Sequence, residues 1–194
     1  MEFNEFINSE ELNKKLLNLF EQSINEDIIN NGEAIILLSG GSTPLSFYLK
    51  FKELDVDWKK VHISLTDERF VPTYSKKSNY HNIINTIGEN KVLKEQFQSM
   101  IYDLLNFELN VIECNQRHKK FFKQKSVVLL GMGDDGHTAS LFTNNYYKSK
   151  DFHSKESKII SNYSPIEPRI RITHNKASIL NTKNFIQGKE EYYI

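Results

Sequence analysis

Three short segments of the chain hold the residue types that could do chemistry, and each follows an apolar run. The sharpest is Gly131-Met132-Gly133-Asp134-Asp135-Gly136-His137-Thr138-Ala139-Ser140-Leu141-Phe142, directly after Val127-Val128-Leu129-Leu130. A histidine set among glycines, a threonine and two acids has the makings of a general base, because imidazole takes up and releases a proton near neutral pH. A nearby carboxylate can fix the tautomer of such a ring. A lone histidine is more often structural, so its position just past a buried strand carries the weight. The same stretch matches Gly-x-Gly-x-x-Gly, the dinucleotide fingerprint. That reading fails, because Asp134 and Asp135 would stand where a pyrophosphate must approach. The fingerprint also belongs to the first βαβ unit of its domain, and this match comes late.

The second segment, Ser39-Gly40-Gly41-Ser42-Thr43-Pro44, follows Leu38. Two glycines let the backbone turn tightly and approach a ligand. Thr43 is expected to cap the next helix with Pro44 in its first turn, leaving free N–H groups to attract an anion. The hydroxyls of Ser42 and Thr43 add donors, and phosphate is the natural guest. A plain strand-to-helix turn would account for the glycines and the proline but less well for so many hydroxyls. The Gly-Lys-Ser/Thr ending of a P-loop and the Gly-x-Ser-x-Gly of a nucleophile elbow are both lacking. The third segment is Thr66-Asp67-Glu68-Arg69-Phe70-Val71-Pro72, with Ser78-Asn79 beyond it. It reads either as an exposed ion cluster, worth about 0–1 kcal/mol per pair, or as part of a ligand site. Ser78 is a cap for the helix that follows. The chain holds only four arginines, Arg69, Arg117, Arg169 and Arg171, so an arginine at a strand end is informative, since its rigid fork matches phosphate or carboxylate.

Positioning these segments requires strands alternating with helices. Ala34–Leu38 is a continuous apolar run too short for a helix and suits a strand covered on both faces. Further strands are expected at Val61–Leu65, Met100–Tyr102, Val127–Leu130, Lys158–Ser161, Arg169–Thr173 and Asn184–Gln187. Helices are expected through Leu12, Leu16, Phe20, Ile24 and Ile28, capped by Ser9, and at Pro44–Lys50, Asn79–Ile87, Leu104–Phe122 and Lys176–Leu180. This alternation predicts an α/β fold with a Rossmann-like, mostly parallel sheet covered by helices on both faces. Ligands of such sheets bind beyond the carboxyl ends of the strands, where all three segments lie.

The 194 residues suit one domain, 1–194, with no linker or repeat, and 25 basic against 25 acidic side chains give no global attraction to nucleic acid. No stretch is long enough to span a membrane, and no signal peptide is visible. The single cysteine, Cys114, reads as an idle buried thiol. A reducing cytoplasm is the expected setting. His62 falls in a strand and His81 and His118 in helices, none with a metal-ligand partner at suitable spacing. His153 and His174 lie in polar stretches and read as solvated.

Together the three segments resemble the 6-phosphogluconolactonase family, within the wider group that includes glucosamine-6-phosphate deaminases. Arg171-Ile172-Thr173 resembles the family's arginine-bearing strand, and the likeness runs from about residue 34 onward. The run Gly136–Phe142 looks like a lactonase. The resemblance implies hydrolysis of 6-phospho-D-glucono-1,5-lactone, with His137 activating water and Asp67 or Asp135 orienting it. Gly40, Gly41, Ser42 and Thr43 would hold the phosphate, Arg69 and Arg171 would be cationic partners, and Arg69 would steady the oxyanion. No metal and no organic cofactor is implied, and the only partner is the small phosphosugar lactone. Asp134 and Thr143 stand where the family usually has proline. The late Gly-x-x-Lys contact is replaced by Gly188-Lys189, with Glu191 in the lysine's place. The resemblance also implies that the chain, ending at Ile194, lacks the family's closing C-terminal segment. Two further readings share the phosphate loop: a glucosamine-6-phosphate deaminase or sugar-phosphate isomerase, and a sugar-phosphate sensor without turnover.

Overall fold

The computed structural model describes residues 4–88, 91–142, 150–189 and 192–193. Its main sheet contains β1 (Asn4–Glu5), β2 (Ala34–Leu38), β3 (Val61–Leu65), β5 (Lys125–Gly131), β8 (Thr182–Lys189) and β9 (Tyr192–Tyr193), in the order β1-β9-β8-β5-β2-β3. The four strands β8, β5, β2 and β3 are parallel, and β9 runs antiparallel to both its neighbours. The mostly parallel α/β fold is therefore as expected. All five residues of β2 are buried, as its unbroken apolar composition requires of a strand covered on both faces.

One face is covered by α1 (Ser9–Asn31), whose Leu12, Leu16, Phe20 and Ile24 pack with Ile36, Val127 and Leu129 of the sheet. The cap of this helix is Asn8, not Ser9: its side-chain oxygen accepts from the amides of Glu10 and Glu11, both at 3.0 Å, so Ser9 falls inside the first turn. Phe20 also meets the rings of Phe47 and Phe51. The other face packs Ile35, Leu37, Val128 and Leu130 against Phe121, in a 3₁₀ turn, and Ile179 of the short helix Lys176–Leu180.

A second sheet is the main departure from expectation. β4 (Asp67–Arg69), β6 (Ile159–Tyr163) and β7 (Ile170–His174) form a separate antiparallel sheet in the order β4-β7-β6. Two backbone hydrogen bonds couple it to the main sheet: the Thr66 amide donates to the Leu38 carbonyl (2.9 Å), and the His174 amide to the Thr66 carbonyl (3.0 Å). Asp67–Arg69, read as loop, is a strand because it pairs with a distant one, which no local pattern reports.

Three other expectations change. Met100–Tyr102 is not a strand: the Asn110 side chain accepts from the amides of Tyr102 and Asp103 and donates to the Met100 carbonyl, taking the place of a ladder. The long helix expected over 104–122 is the shorter helix Phe107–Arg117, capped by Asn106, followed by a 3₁₀ turn at Lys119–Phe122. His174 is fully buried, not solvated; its Nδ1 lies 2.8 Å from the Ser178 hydroxyl, and its ring lies near the equally buried His118. Cys114 is buried. Thr143 and Glu191 lie outside the described residues. Among the described residues no helix is long and apolar enough to cross a membrane.

Candidate active site

The loop after β5 folds back on itself as a tight turn. The Gly133 amide donates to the His137 carbonyl (2.9 Å), the Gly136 amide to the Gly133 carbonyl (2.9 Å), and the Thr138 hydroxyl to the Gly131 carbonyl (2.9 Å). This geometry sets the imidazole of His137 directly over the Gly133 backbone: a Cβ at Gly133 would stand 2.2 Å from His137 Cε1. Gly133 is thus a glycine because the ring occupies the space of a side chain. Within the same turn, Asp135 Oδ1 bonds to His137 Nδ1 and also accepts from the His137 amide at 3.2 Å. The imidazole holds the Asp135 carboxyl below its ordinary value. The ring rests against Phe142, with centroids 4.5 Å apart. With Nδ1 engaged, Nε2 is the nitrogen left to exchange a proton with a ligand or water.

The Ser39–Pro44 loop leaves β2 beside this turn. Ser39 Oγ accepts from the Gly131 amide at 3.2 Å and donates to the Gly40 carbonyl at 3.1 Å, joining the two loops at their roots. Its next helix, α2, spans only Leu45–Tyr48, and its cap is Pro44 with no side-chain cap bond, so Thr43 does not cap it. A helix of one turn has little dipole. The loop's attraction for an anion must come from its own amides and the hydroxyls of Ser42 and Thr43.

The third segment lies within the second sheet. Arg69 of β4 and Arg171 of β7 are direct partners in the antiparallel register. Like charges placed opposite each other on adjacent strands destabilise the pair, and a shared anion would relieve that. Arg69 Nη1 donates to the Lys77 carbonyl at 2.8 Å and Arg171 Nη2 to the Ser164 hydroxyl at 3.4 Å, while the Nε of each is buried without a partner. Burial and the neighbouring Arg69 charge lower the Arg171 pKa, opposed by Asp67 and Glu68.

Asp67 and Glu68 are both buried, so they are no surface ion cluster. Glu68 accepts from the amides of Arg69, Asn79 and Tyr80 and from the Ser78 hydroxyl, at 2.6–2.8 Å. It serves the start of α3 (Asn79–Ile87), which Ser78 caps as expected. Burial nevertheless pushes its pKa up. Asn79 donates through Nδ2 to the Asp67 carbonyl (2.9 Å), and a Cβ at Gly40 would stand 1.9 Å from its Oδ1. Gly40 therefore lets the loop lie against α3. The Asp67 carboxylate accepts from the Ser140 hydroxyl at 2.5 Å. It is Asp135, then, that bonds to the imidazole, and Asp67 is engaged elsewhere.

Groups from all three segments border one cleft of about 500 Å³, lined by Gly40, Gly41, Ser42 and Thr43 on one side, His137 and Asp135 on another, and Arg69, Arg171 and Asp67 on a third. The size suits a small phosphorylated sugar. Ser164, Pro165 and Ile166 also line it and were not singled out by sequence. They precede the Arg171 strand, and no motif marks them. Among the described residues no group of three or more His, Cys, Asp or Glu side chains is arranged to hold a metal ion.

An α/β protein with a hydroxyl-rich glycine loop, an imidazole–carboxylate pair and two arginines around one cleft belongs to a defined class. The sequence matches the model of the glucosamine-6-phosphate isomerase/6-phosphogluconolactonase family over residues 7–188, and the chain belongs to that family. A 6-phosphogluconolactonase of Neisseria meningitidis is 33% identical over 141 residues, covering 72% of this chain and 61% of that protein. One from Helicobacter pylori is 33% identical over 139 residues, covering 71% of this chain and 60% of that protein. The chain thus spans about three fifths of the length of these curated relatives. The crystal structure of a 6-phosphogluconolactonase from Shewanella baltica superimposes with a TM-score of 0.85 at 26% identity, covering 94% of this chain and 78% of that one.

Proposed function

We propose that this chain hydrolyses 6-phospho-D-glucono-1,5-lactone to 6-phosphogluconate, as a single sugar-phosphate-binding α/β unit working in the cytoplasm. The observation that carries this reading is an imidazole, bonded through Nδ1 to Asp135, bordering the same cleft as a glycine–hydroxyl loop, the buried Arg171 and the half-buried Arg69. In this mechanism the phosphate lies against Gly40, Gly41, Ser42 and Thr43 with Arg171 nearby, and the lactone ring extends toward His137. His137 Nε2 takes a proton from water as the water oxygen attacks the lactone carbonyl carbon. Asp135 holds the ring orientation and stabilises the imidazolium. The carbonyl oxygen becomes an oxyanion that Arg69 steadies in this reading, a contribution of about 10²–10³ in rate for one good donor. Collapse breaks the bond from carbonyl carbon to ring oxygen, and the imidazolium returns its proton to that oxygen. A lactone is already an activated ester, so the chemistry calls for no metal or organic cofactor.

The test is the rate of 6-phosphogluconolactone hydrolysis by the purified chain, above the spontaneous rate, beside a His137→Ala control. Acceleration that disappears in the control supports the reading; no acceleration by the folded wild-type chain refutes it. Ammonia release from glucosamine 6-phosphate would instead favour the deaminase branch of the family. Saturable binding of 6-phosphogluconate without any turnover would favour a sensor.

A further inference from the structure

The imidazole lies in the turn that follows β5 of the main sheet and the arginines sit on strands of the second sheet, and the distance between them must be held for one substrate to meet both. Ser140 is the residue that links them. It is fully buried, three positions after His137, and uses each of its polar groups on a different strand of the second sheet. Its hydroxyl donates to Asp67 Oδ2 on β4 (2.5 Å), its amide to Thr173 Oγ1 on β7 (3.4 Å), and its carbonyl accepts from Asn162 Nδ2 on β6 (2.7 Å). The residue before it, Ala139, has a left-handed backbone, φ 48°. That conformation is unfavourable for a side chain with a Cβ and persists only where surrounding contacts impose it. The turn at Ala139 directs Ser140 inward.

We propose that Ser140 and the Asp67 carboxylate form a positioning pin that sets the His137 loop against the Arg69–Arg171 strand pair. The inference rests on the lactonase reading for its kinetic consequence. Asp67 is then a positioning residue whose task is to accept the Ser140 hydroxyl at Oδ2, beside a longer bond from Thr66 Oγ1 to Oδ1 (3.4 Å), and its charge is not required for the chemistry. That separates it from Asp135, which touches the imidazole directly. Asp67 also ties in the first loop, since its backbone carbonyl receives Asn79 Nδ2, and Asn79 lies against Gly40. Misplacing a reacting group by about 1 Å can cost on the order of 10²-fold in rate, so the pin should matter more for turnover than for binding.

The experiment compares Ser140→Ala, Asp67→Ala, Asp67→Asn and the double alanine variant by steady-state lactone hydrolysis, with 6-phosphogluconate affinity from calorimetry. The His137 Hε1 resonance is followed in parallel by NMR. Asparagine keeps an acceptor oxygen for the Ser140 hydroxyl. The expected result is a loss of kcat of about 10–100-fold in both alanine variants, no further loss in the double variant, and at least tenfold less loss in Asp67→Asn than in Asp67→Ala. The 6-phosphogluconate affinity should change by less than about threefold, within the scatter of a peripheral substitution. The His137 resonance should move alike in the two alanine variants and little in Asp67→Asn. Full kcat with an unmoved resonance in folded Ser140→Ala overturns the pin, as does an Asp67→Asn variant as impaired and shifted as Asp67→Ala. A wild-type chain without turnover refutes the lactonase reading instead, and the resonance pattern still decides the pin.

Discussion

The His137 wall of the cleft and the arginine wall are assembled in opposite ways. On the first, Asp135 and His137 are two residues apart, the ring lies on Gly133 of the same turn, and the contacts that shape the imidazole are local. On the second, Arg69 and Arg171 meet only because β4 and β7 pair across most of the chain, and each arginine keeps a buried Nε without a partner. A local turn can hold a base in one orientation with few outside contacts. A pair of opposed like charges needs a whole sheet to hold it, and carries a strain that an anion would relieve. The contrast predicts that damage to the first wall removes chemistry and spares binding, while loss of Arg171 from the second weakens binding first.

The largest effect is expected from His137→Ala, which should lower kcat by about 10²–10⁴-fold, the usual worth of a general base, with the thermal midpoint little changed because the side chain is partly exposed. Gly133→Ala comes next. Its new Cβ would collide with His137 Cε1, the movable end of a side chain, so the fold should survive while the ring is displaced; kcat should drop by about 10²-fold. Steady-state kinetics beside a melting curve would check both, and an unfolded Gly133→Ala protein would show the turn to be less self-contained than its local contacts imply.

Arg171→Ala should act on the other wall. Loss of a charged donor to an anion is worth about 1.5–3 kcal/mol, so 6-phosphogluconate should bind about 10–100-fold more weakly in calorimetry. Removing one of two opposed guanidiniums should leave the thermal midpoint unchanged or higher. A large fall in midpoint would mean that the arginine pair is structural, blurring the distinction between the walls.

The smallest effect concerns stability alone and arises beneath the site. Burial lowers the His118 pKa to about 4, against an ordinary value near 6.5 for an exposed histidine. A depressed folded-state value means that the unfolded chain binds the proton more readily, so stability is complete above about pH 6.5 and is lost as pH falls toward 4. Between pH 7 and 5.5 the loss should be on the order of 1 kcal/mol, or about 2–4 °C in thermal midpoint. His118→Gln should flatten that slope. His174, also lowered by burial and by neighbouring Lys125 and His118, adds to the slope in the same direction.

What the sequence revealed follows the same division. The buried parallel strands were legible because continuous apolar runs between turn residues mean little else, and the position of His137 at the end of one followed directly. The hydroxyl-rich loop was legible in composition, although its helix proved to be one turn long and Thr43 proved not to cap it. The second sheet was not legible: Asp67–Arg69 is three residues long and becomes a strand only through a distant partner. For the same reason Asp67 could be offered as an orienting group for the imidazole when its carboxylate is bonded to Ser140. The burial of His174 is not legible because its polar neighbours, Asn175 and Ser178, turn inward to bond with buried groups, which composition cannot indicate.

Titration of 6-phosphogluconate into folded His137→Ala protein, alongside its lactone turnover, tests the division of labour most directly. The account predicts turnover reduced to near the spontaneous rate, with an affinity within about threefold of wild type. Binding lost together with turnover would contradict it, because the imidazole wall would then be part of what holds the anion.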